Sequence, residues 1–380
     1  MNYLPSVDVA IIGGGPAGTA LALTLAVHSN LKVAVIENTA YDNIRIGENV
    51  SASLLPLLEY LKVKEAFLAD NHQPAYNSSA VWGNSRPNTR TSIFSQLGEG
   101  YLLDRGTFDA MLAEQMVEKG GKLFLQTKCQ EGERLEGGGW RLLLEHNSGK
   151  SCWLETNYLV DATGRQSRIA KRLGATSLVC DSLVGICSFL KVPDNPTKKD
   201  EILVESIPEG WLYSAYLPNG NLILALMTDV DLMRQQQLHK EQQWINLLSR
   251  SQHTSQRVKG GNLLYPLTVK PAHSQILDSA VGEDWMAVGD SAAAFDPLSS
   301  MGIGHAMASG SHAGVALIEY LKNNQDKLLK DYQAGLERNF ENYLRMRHMY
   351  YSIEKRWLEE PFWQRRVNLK TNDQLASSAV

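Results

Sequence analysis

The sequence predicts an α/β protein with a Rossmann-type nucleotide-binding domain, a second domain built on a mainly antiparallel β-sheet, and C-terminal helices. Three observations predict this. A glycine-rich turn near the start joins an apolar run to a helix-forming run, Pro218-Asn219-Gly220 gives a strong hairpin signal between two strand-like runs, and the stretch from about Asp331 to Arg366 has helical character.

The run Val7 to Ile12 is short, β-rich and apolar on both faces, as suits a parallel strand covered by helices on each side. It ends at Gly13, Gly15 and Gly18, which satisfy GxGxxG with Pro16 and Ala17 between them, and helix formers follow from Thr19 to Ala26. Gly13 permits the tight turn, Gly15 lets backbone approach a pyrophosphate, and Gly18 lets helix and strand pack closely. The helix start supplies unpaired N–H groups and a positive dipole to phosphates. A second strand, Lys32 to Ile36, runs into Glu37, about 20 residues past the motif, where an acid binds a ribose diol and disfavours a 2′-phosphate. The site therefore suits FAD or NAD rather than NADP.

Two later strands bear on that choice. Leu159 to Asp161 enters the turn Asp161-Ala162-Thr163-Gly164-Arg165, and Trp285 to Val288 enters Gly289-Asp290. An aspartate at the carboxyl end of a strand, followed by a helix start, suits a polyhydroxyl chain joined to a polar heterocycle. The ribityl and isoalloxazine groups of FAD fit that description. No charged residue occurs from Val9 to Leu31 or from Pro297 to Ile318. Glycine, proline, serine and histidine interrupt both stretches, so neither is expected to span a membrane. They are expected to be two walls of one FAD site, where bare backbone must approach a large ligand.

Composition narrows the class. With 380 residues, 43% hydrophobic and 21% charged, the chain is long enough for a sizeable core. The net charge of −4 creates no general field for nucleic acid or an anionic membrane. Four cysteines without a CxxC pair, and a start lacking a basic and then apolar leader, point to the cytoplasm; no metal site is expected. The FAD-binding domain is expected to be discontinuous, over residues 1–75, 100–175 and 275–330. Residues 76–99 and 176–274 would form the substrate domain, with strands at Ser79–Gly83, Val184–Val192, Trp211–Leu217 and Asn221–Met227, and residues 331–380 the C-terminal helical segment. Between Arg345 and Lys370 there are seven basic and three acidic residues, interleaved with Tyr350, Tyr351, Trp357, Phe362 and Trp363. This pattern suits either an amphipathic helix packing its aromatics on the FAD domain or a docking surface for a protein partner.

Taken together, these residues resemble the FAD-dependent group of para-hydroxybenzoate hydroxylase fold, which includes aromatic hydroxylases, flavin halogenases and geranylgeranyl reductases. The resemblance is carried by GxGxxG with Glu37, by Arg45-Ile46-Gly47-Glu48 as the RxGE element, by Arg105 within Asp104 to Asp109, by Asp161 to Arg165, and by Gly289-Asp290 with Asp296-Pro297. It implies that Arg45, Glu48 and Arg105 lie by the FAD, with Asp161 and Gly164 also in the binding set. Asp290 would hold the ribityl or pyrophosphate region, and the segment from Pro297 to Gly304, with Gly302 and Ile303, would lie under the flavin ring. Pro297, Gly302 and His305 are then the catalytic candidates, His305 as the nearest ionisable group for proton work. A plainer role for His305 is that of a buried, hydrogen-bonded histidine.

The halogenase branch is similar at Arg45–Glu48 and Asp296-Pro297, yet Asn77 stands near where those enzymes carry a lysine, and Lys62 and Lys64 fall on a surface helix. The GWxWxIP element is only partly matched by Gly210 to Pro218. A narrower resemblance, in Gly289 to Ile303 and Tyr351 to Arg366, is to maturation flavoproteins of the LodB and GoxB type, which modify a tryptophan in a partner oxidase precursor as cysteine tryptophylquinone forms. It implies an FAD-dependent monooxygenase that hydroxylates that tryptophan through a flavin C4a-hydroperoxide. NADH, NADPH or another reductant would be the transient electron donor and O2 the co-substrate. The alternatives are a small-molecule aromatic hydroxylase or halogenase, an isoprenoid reductase, and a flavin-bound chaperone that holds a precursor without oxidising it. A reductase should have a long apolar tunnel, whereas the roof strands carry Glu205, Glu209, Trp211, Tyr213 and Tyr216. A quinone-cofactor oxidase precursor is the expected partner, and the oligomeric state is left open.

Overall fold

The computed structural model describes residues 2–91, 98–193 and 201–367. Along the chain, β1 (Val7–Ile12) leads through a glycine turn into α1 (Pro16–His28) and β2 (Val33–Ile36). Next come β3 (Asn77–Val81), α2 (Arg105–Glu118) and the long strand β4 (Ser151–Asp161). A run of strands follows: β5 (Leu183–Lys191), β6 (Glu201–Ile207), β7 (Gly210–Tyr216) and β8 (Leu222–Asp229). The chain then returns through β9 (Trp285–Ala287) to α3 (Gly302–Asn323), α4 (Lys327–Ile353) and α5 (Pro361–Val367).

The first sheet has β4, β1 and β2 side by side and parallel, with Lys122–Phe124 beyond β2 and β9 parallel to the end of β4. Val9, Ala10 and Ile11 of β1 are fully buried, so both faces of this strand are covered. That burial explains its unbroken apolar sequence. α1 crosses α3 very closely. A Cβ built on Gly310 would stand 2.1 Å from the Ala17 carbonyl oxygen, and one on Gly314 would stand 2.8 Å from Thr24. The two uncharged stretches of sequence therefore bury one another along these helices, in addition to lining a cavity at their N-terminal ends. No helix among the described residues is long and apolar enough to cross a membrane.

The second sheet is mainly antiparallel, as predicted, in the order β5, β8, β7, β6, β3, and only the β6–β3 pair among these runs parallel. The β7–β8 hairpin closes through Leu217 N–H to Asn221 O at 2.7 Å, and Gly220 adopts φ +77°. Period-two alternation gives the sheet two different faces. Leu212, Leu224, Leu226 and Ile186 pack against Trp244 and Leu247 of a covering helix. The opposite face, with Cys187, Ala225, Tyr213 and Val204 in register across four strands, looks into the cavity described below. Alternation also corrects the expected roof: of the five polar and aromatic residues named for it, only Trp211 and Tyr213 line the cavity. Glu205 turns the other way and accepts the N–H groups of Gln252, His253 and Thr254.

The tail packs against the second sheet rather than the nucleotide-binding half. Tyr351, Phe362 and Trp363 are buried with Trp211, Met227 and Leu183. Arg366 is 9% exposed, stacks 3.5 Å over the Phe362 ring and meets Asp229 Oδ1 at 2.8 Å, while Arg365 bridges Asp229 and Asp231 at 2.9 and 2.7 Å. These two arginines hold the tail down and are not a free basic surface; Lys370 lies outside the described residues. Arg366→Ala should lower unfolding free energy by about 3 kcal/mol because it leaves the buried Asp229 carboxylate with only the half-exposed Arg365, and Arg365→Ala by under about 1 kcal/mol. Urea unfolding of the two variants checks the order, and equal losses would contradict it.

Candidate active site

The glycine turn is fixed by contacts that leave no room for side chains at two of its positions. Gly13 has φ +114°, and a Cβ there would fall 2.2 Å from the carbonyl oxygen of Ala162; on Gly18 it would fall 2.1 Å from that of Gly13. Ala162 belongs to the Asp161–Arg165 turn, so the two sequence motifs meet backbone to backbone. Gly15 differs. It lines the cavity, and a Cβ on it would touch nothing within 4 Å. The start of α1, carrying Pro16 and Ala17, thus presents bare backbone to open space.

Beside it runs a chain of charges. Asp109, fully buried, joins Arg45 (2.6 Å) to Arg105 (2.9 Å), and Arg45 continues to Glu37 at 3.2 Å. Arg105 also donates to the carbonyl oxygens of Ile46 and Gly47. Both arginines line the cavity. Farther along, Arg165 Nε stands 3.3 Å from Asp290, whose side chain keeps about 32% exposure to the cavity. Burial raises the Asp290 pKa, partly offset by Arg165 and Arg105. The floor is the short turn Pro297–Ser299, fixed by Asp296, and then Gly302, where a Cβ would again meet nothing within 4 Å. Asp296 is locked from behind by the Tyr351 hydroxyl at 2.7 Å, which in turn accepts from Trp211 Nε1 at 3.0 Å.

These walls enclose a cavity of about 570 Å³. It brings together Gly15, Pro16, Ala17, Arg45, Glu48, Arg105, Gly164, Asp290, Pro297, Gly302 and Ile303 from the expected set. Gly13 and Gly18 shape the turn behind the wall. Glu37 lies outside the lining, its carboxylate accepting from Gly14 N–H (2.8 Å), Thr39 N–H (2.9 Å), Thr39 Oγ1 (2.5 Å) and Arg45. Asp161 is likewise outside and fully buried, accepting from Thr163 and from the N–H groups of Ile169 and Ala170 at 2.8 Å, where it caps a short helix. His305 does not reach the cavity: its ring packs edge-on against Phe295 at 4.4 Å, and burial, with His312 adding, lowers its pKa to about 4. Its Nε2 is buried with no hydrogen-bond partner among the described residues, so the hydrogen bond expected of a buried histidine is not made at that atom.

Two groups of the site escaped sequence reasoning, Lys270 on the cavity wall and Asp109 behind it. Lys270 comes from the strand Thr268–Pro271 paired on β5, a position no motif marks. Asp109 was legible in principle, four residues after Arg105 on a helix, where an acid faces a base. Glu48 lies under the second sheet, and burial raises its pKa to about 7, with Arg105 opposing. Because the folded value exceeds the ordinary 4.5, the folded state binds the extra proton, and stability falls as pH rises from about 4.5 through 7. Glu48→Gln should flatten that part of the curve of melting temperature against pH. A variant whose curve retains the wild-type slope would remove Glu48 as its source.

The cradle fits FAD on these observations: open space over Gly15 and Gly302, a helix N-terminus, two cavity-facing arginines for a pyrophosphate, and a partly exposed aspartate for hydroxyls. Over residues 6–343 the chain matches the FAD binding domain family. It is 36% identical over 365 residues to LodB of Marinomonas mediterranea, named as an FAD-dependent oxidoreductase, across 96% of this chain and 97% of that protein. Its fold is shared with several solved structures, two of which bear on the site. The myxobacterial chondrochloren halogenase CndH superposes with a TM-score of 0.88 at 17% identity, covering 98% of this chain and 89% of that one. The peptidyl tryptophan dihydroxylase QhpG, essential for tryptophylquinone cofactor biogenesis, does so with a TM-score of 0.77 at 23% identity, covering 95% and 79%.

Proposed function

This chain belongs to the FAD binding domain family and is an FAD-dependent oxidoreductase, and from that premise we propose that it hydroxylates the indole of a tryptophan in a partner oxidase precursor during cysteine tryptophylquinone biogenesis. NADH, NADPH or another reductant supplies the electrons and O2 the oxygen. The observation that carries this reading is the chamber under the second sheet. Gly185, Cys187 and Ala225 leave space on one side, Trp211 and Tyr213 stand on the other, and few polar groups enter. A flat, electron-rich ring fits such walls. Likeness to LodB, and a fold shared with QhpG, support a protein-borne tryptophan as the ring's source.

Bound FAD supplies the redox chemistry, taking electrons from the donor and activating oxygen. The protein supplies position and dryness. In this reading the α1 start at Gly15, Pro16 and Ala17 holds the pyrophosphate with Arg45 and Arg105, and Gly13, Gly18, Glu37 and Asp161 keep that cradle rigid. Asp290 and Gly164 hold the ribityl region, and Pro297, Gly302 and Ile303 lie against the ring. Asp296, through Tyr351, fixes the angle of Trp211 beside the substrate.

A second reading, halogenation, is favoured by Lys270 on the cavity wall. One experiment separates the two. The purified protein, loaded with FAD, is incubated with the precursor, a reductant, chloride and air, and the tryptophan peptide is weighed by mass spectrometry. Gain of one or two oxygen masses is expected. Chlorine in place of hydrogen, lost in Lys270→Met, would establish the second reading, and an unchanged peptide would defeat both.

A further inference from the structure

Glu48 stands where the nucleotide half of the cavity meets the second sheet. The residue is 3% exposed; Oε1 accepts the Gly47 N–H at 3.0 Å, and Oε2 has no hydrogen-bond partner among the described residues. Tyr213 of β7 lines the same chamber, and its hydroxyl is also buried without a partner among the described residues. The Glu48 charge reaches both Tyr213 and Cys187 of β5, raising each pKa in addition to the effect of burial. The charged groups acting on this corner are Arg105 from α2, Lys270 from the strand beside β5, and Arg257, which opposes the rise at Tyr213. Around them Val204, Ala225, Met227 and Leu298 are apolar.

Folded proteins pair almost all their buried polar atoms, because an unpaired one forfeits its hydrogen bonds to water and receives nothing in return. Two such atoms together in one apolar chamber mark a place kept for a ligand's polar edge. A carboxylate oxygen can only accept, and a phenolic hydroxyl can accept or donate. The matching edge is a donor on an otherwise apolar ring. Resting on the reading of this chamber as an indole site, we propose that Glu48, assisted by Tyr213, recognises the substrate's ring N–H, so that the chamber selects indole over a ring of the same shape without that donor. Glu48 is then a specificity-determining residue of the substrate chamber rather than part of the cofactor cradle. An indole lying with its N–H on Glu48 has its orientation fixed, which decides the ring carbon presented to the oxygen donor.

The test uses the FAD-loaded protein and two probes of one shape, 3-methylindole and 3-methylbenzothiophene, titrated by their perturbation of the visible flavin spectrum. Wild type should bind the indole about tenfold more tightly, the size of one hydrogen bond to a charged acceptor. That preference should grow as pH rises through 7, because Glu48 becomes the better acceptor when ionised. The Cys187 thiol is pushed up to about 12 and the Tyr213 hydroxyl higher still, so neither titrates near neutrality, and Glu48→Gln separates Glu48 from Asp290, whose pKa burial also raises. Glu48→Leu should abolish the preference. Glu48→Gln, which keeps an accepting carbonyl and the side chain's shape, should retain part of it with no pH dependence, and Tyr213→Phe should weaken it. Equal binding of the two probes by wild type, or full preference in Glu48→Leu, overturns the inference. Oxygen added to the partner's tryptophan in that case leaves the proposed function standing; discrimination between the probes with no oxygen added does the reverse.

Discussion

Gly15→Val should fold normally and lose FAD. Its backbone, at φ −75° and ψ −179°, is extended and open to any residue, and a Cβ there meets nothing within 4 Å, so the free protein has no reason to object. The substituted side chain projects into the space over the α1 N-terminus, where a pyrophosphate needs the backbone itself. The affinity for FAD should fall by about 100-fold or more, as expected when several charge-assisted hydrogen bonds are lost together. Gly18→Ala is the contrasting control. Its Cβ would overlap the Gly13 carbonyl oxygen at 2.1 Å, so it should lower the melting temperature with or without FAD. Isothermal titration with FAD beside thermal melts of the ligand-free proteins separates the two effects. A Gly15→Val protein that binds FAD as wild type does would move the pyrophosphate elsewhere.

Asp109→Ala should be the most destabilising single change in the site, by about 3–5 kcal/mol. Removing this fully buried carboxylate leaves Arg45 and Arg105 facing each other across the space it filled, with their desolvation no longer compensated. Arg45 would keep Glu37 at 3.2 Å, and Arg105 would keep two backbone carbonyls, so collapse should be incomplete. Asp109→Asn preserves the shape and some hydrogen bonds and should lose less. Denaturant unfolding measures both, and an Asp109→Ala loss below that of Asp109→Asn would contradict the arrangement. FAD binding should weaken in parallel, since both arginines lose the group that aims them.

Much of the fold was legible because local chemistry and position coincided. Gly13 and Gly18 reported a turn whose steric limits the structure repeats, and Pro218-Asn219-Gly220 reported the β7–β8 hairpin. What stayed hidden depended on neighbours distant in sequence. Glu205 and Tyr213 were both named for the roof, but which faces the cavity follows from register with β8 and β3. Glu48 looked like part of an RxGE element beside the cofactor; its unpaired oxygen under β7 appears only when residues about 165 positions apart meet. His305 shows the reverse failure. A histidine in the floor segment suggested proton chemistry, and Phe295, ten residues earlier, claims its ring. The uncharged stretches were read as walls for a ligand, yet most of their length is neutral because α1 and α3 each occupy the other's surface.

The bond from Trp211 to Tyr351 spans 140 residues, and Trp363 donates to the Ile207 carbonyl from 156 residues away. During synthesis, which proceeds from the N-terminus, the second sheet can therefore pair its strands well before the helices that brace it leave the ribosome. Over that interval Trp211 and Asp296 both lack the Tyr351 hydroxyl that ties them together, so these two walls of the chamber are joined only once the C-terminal helices have been made.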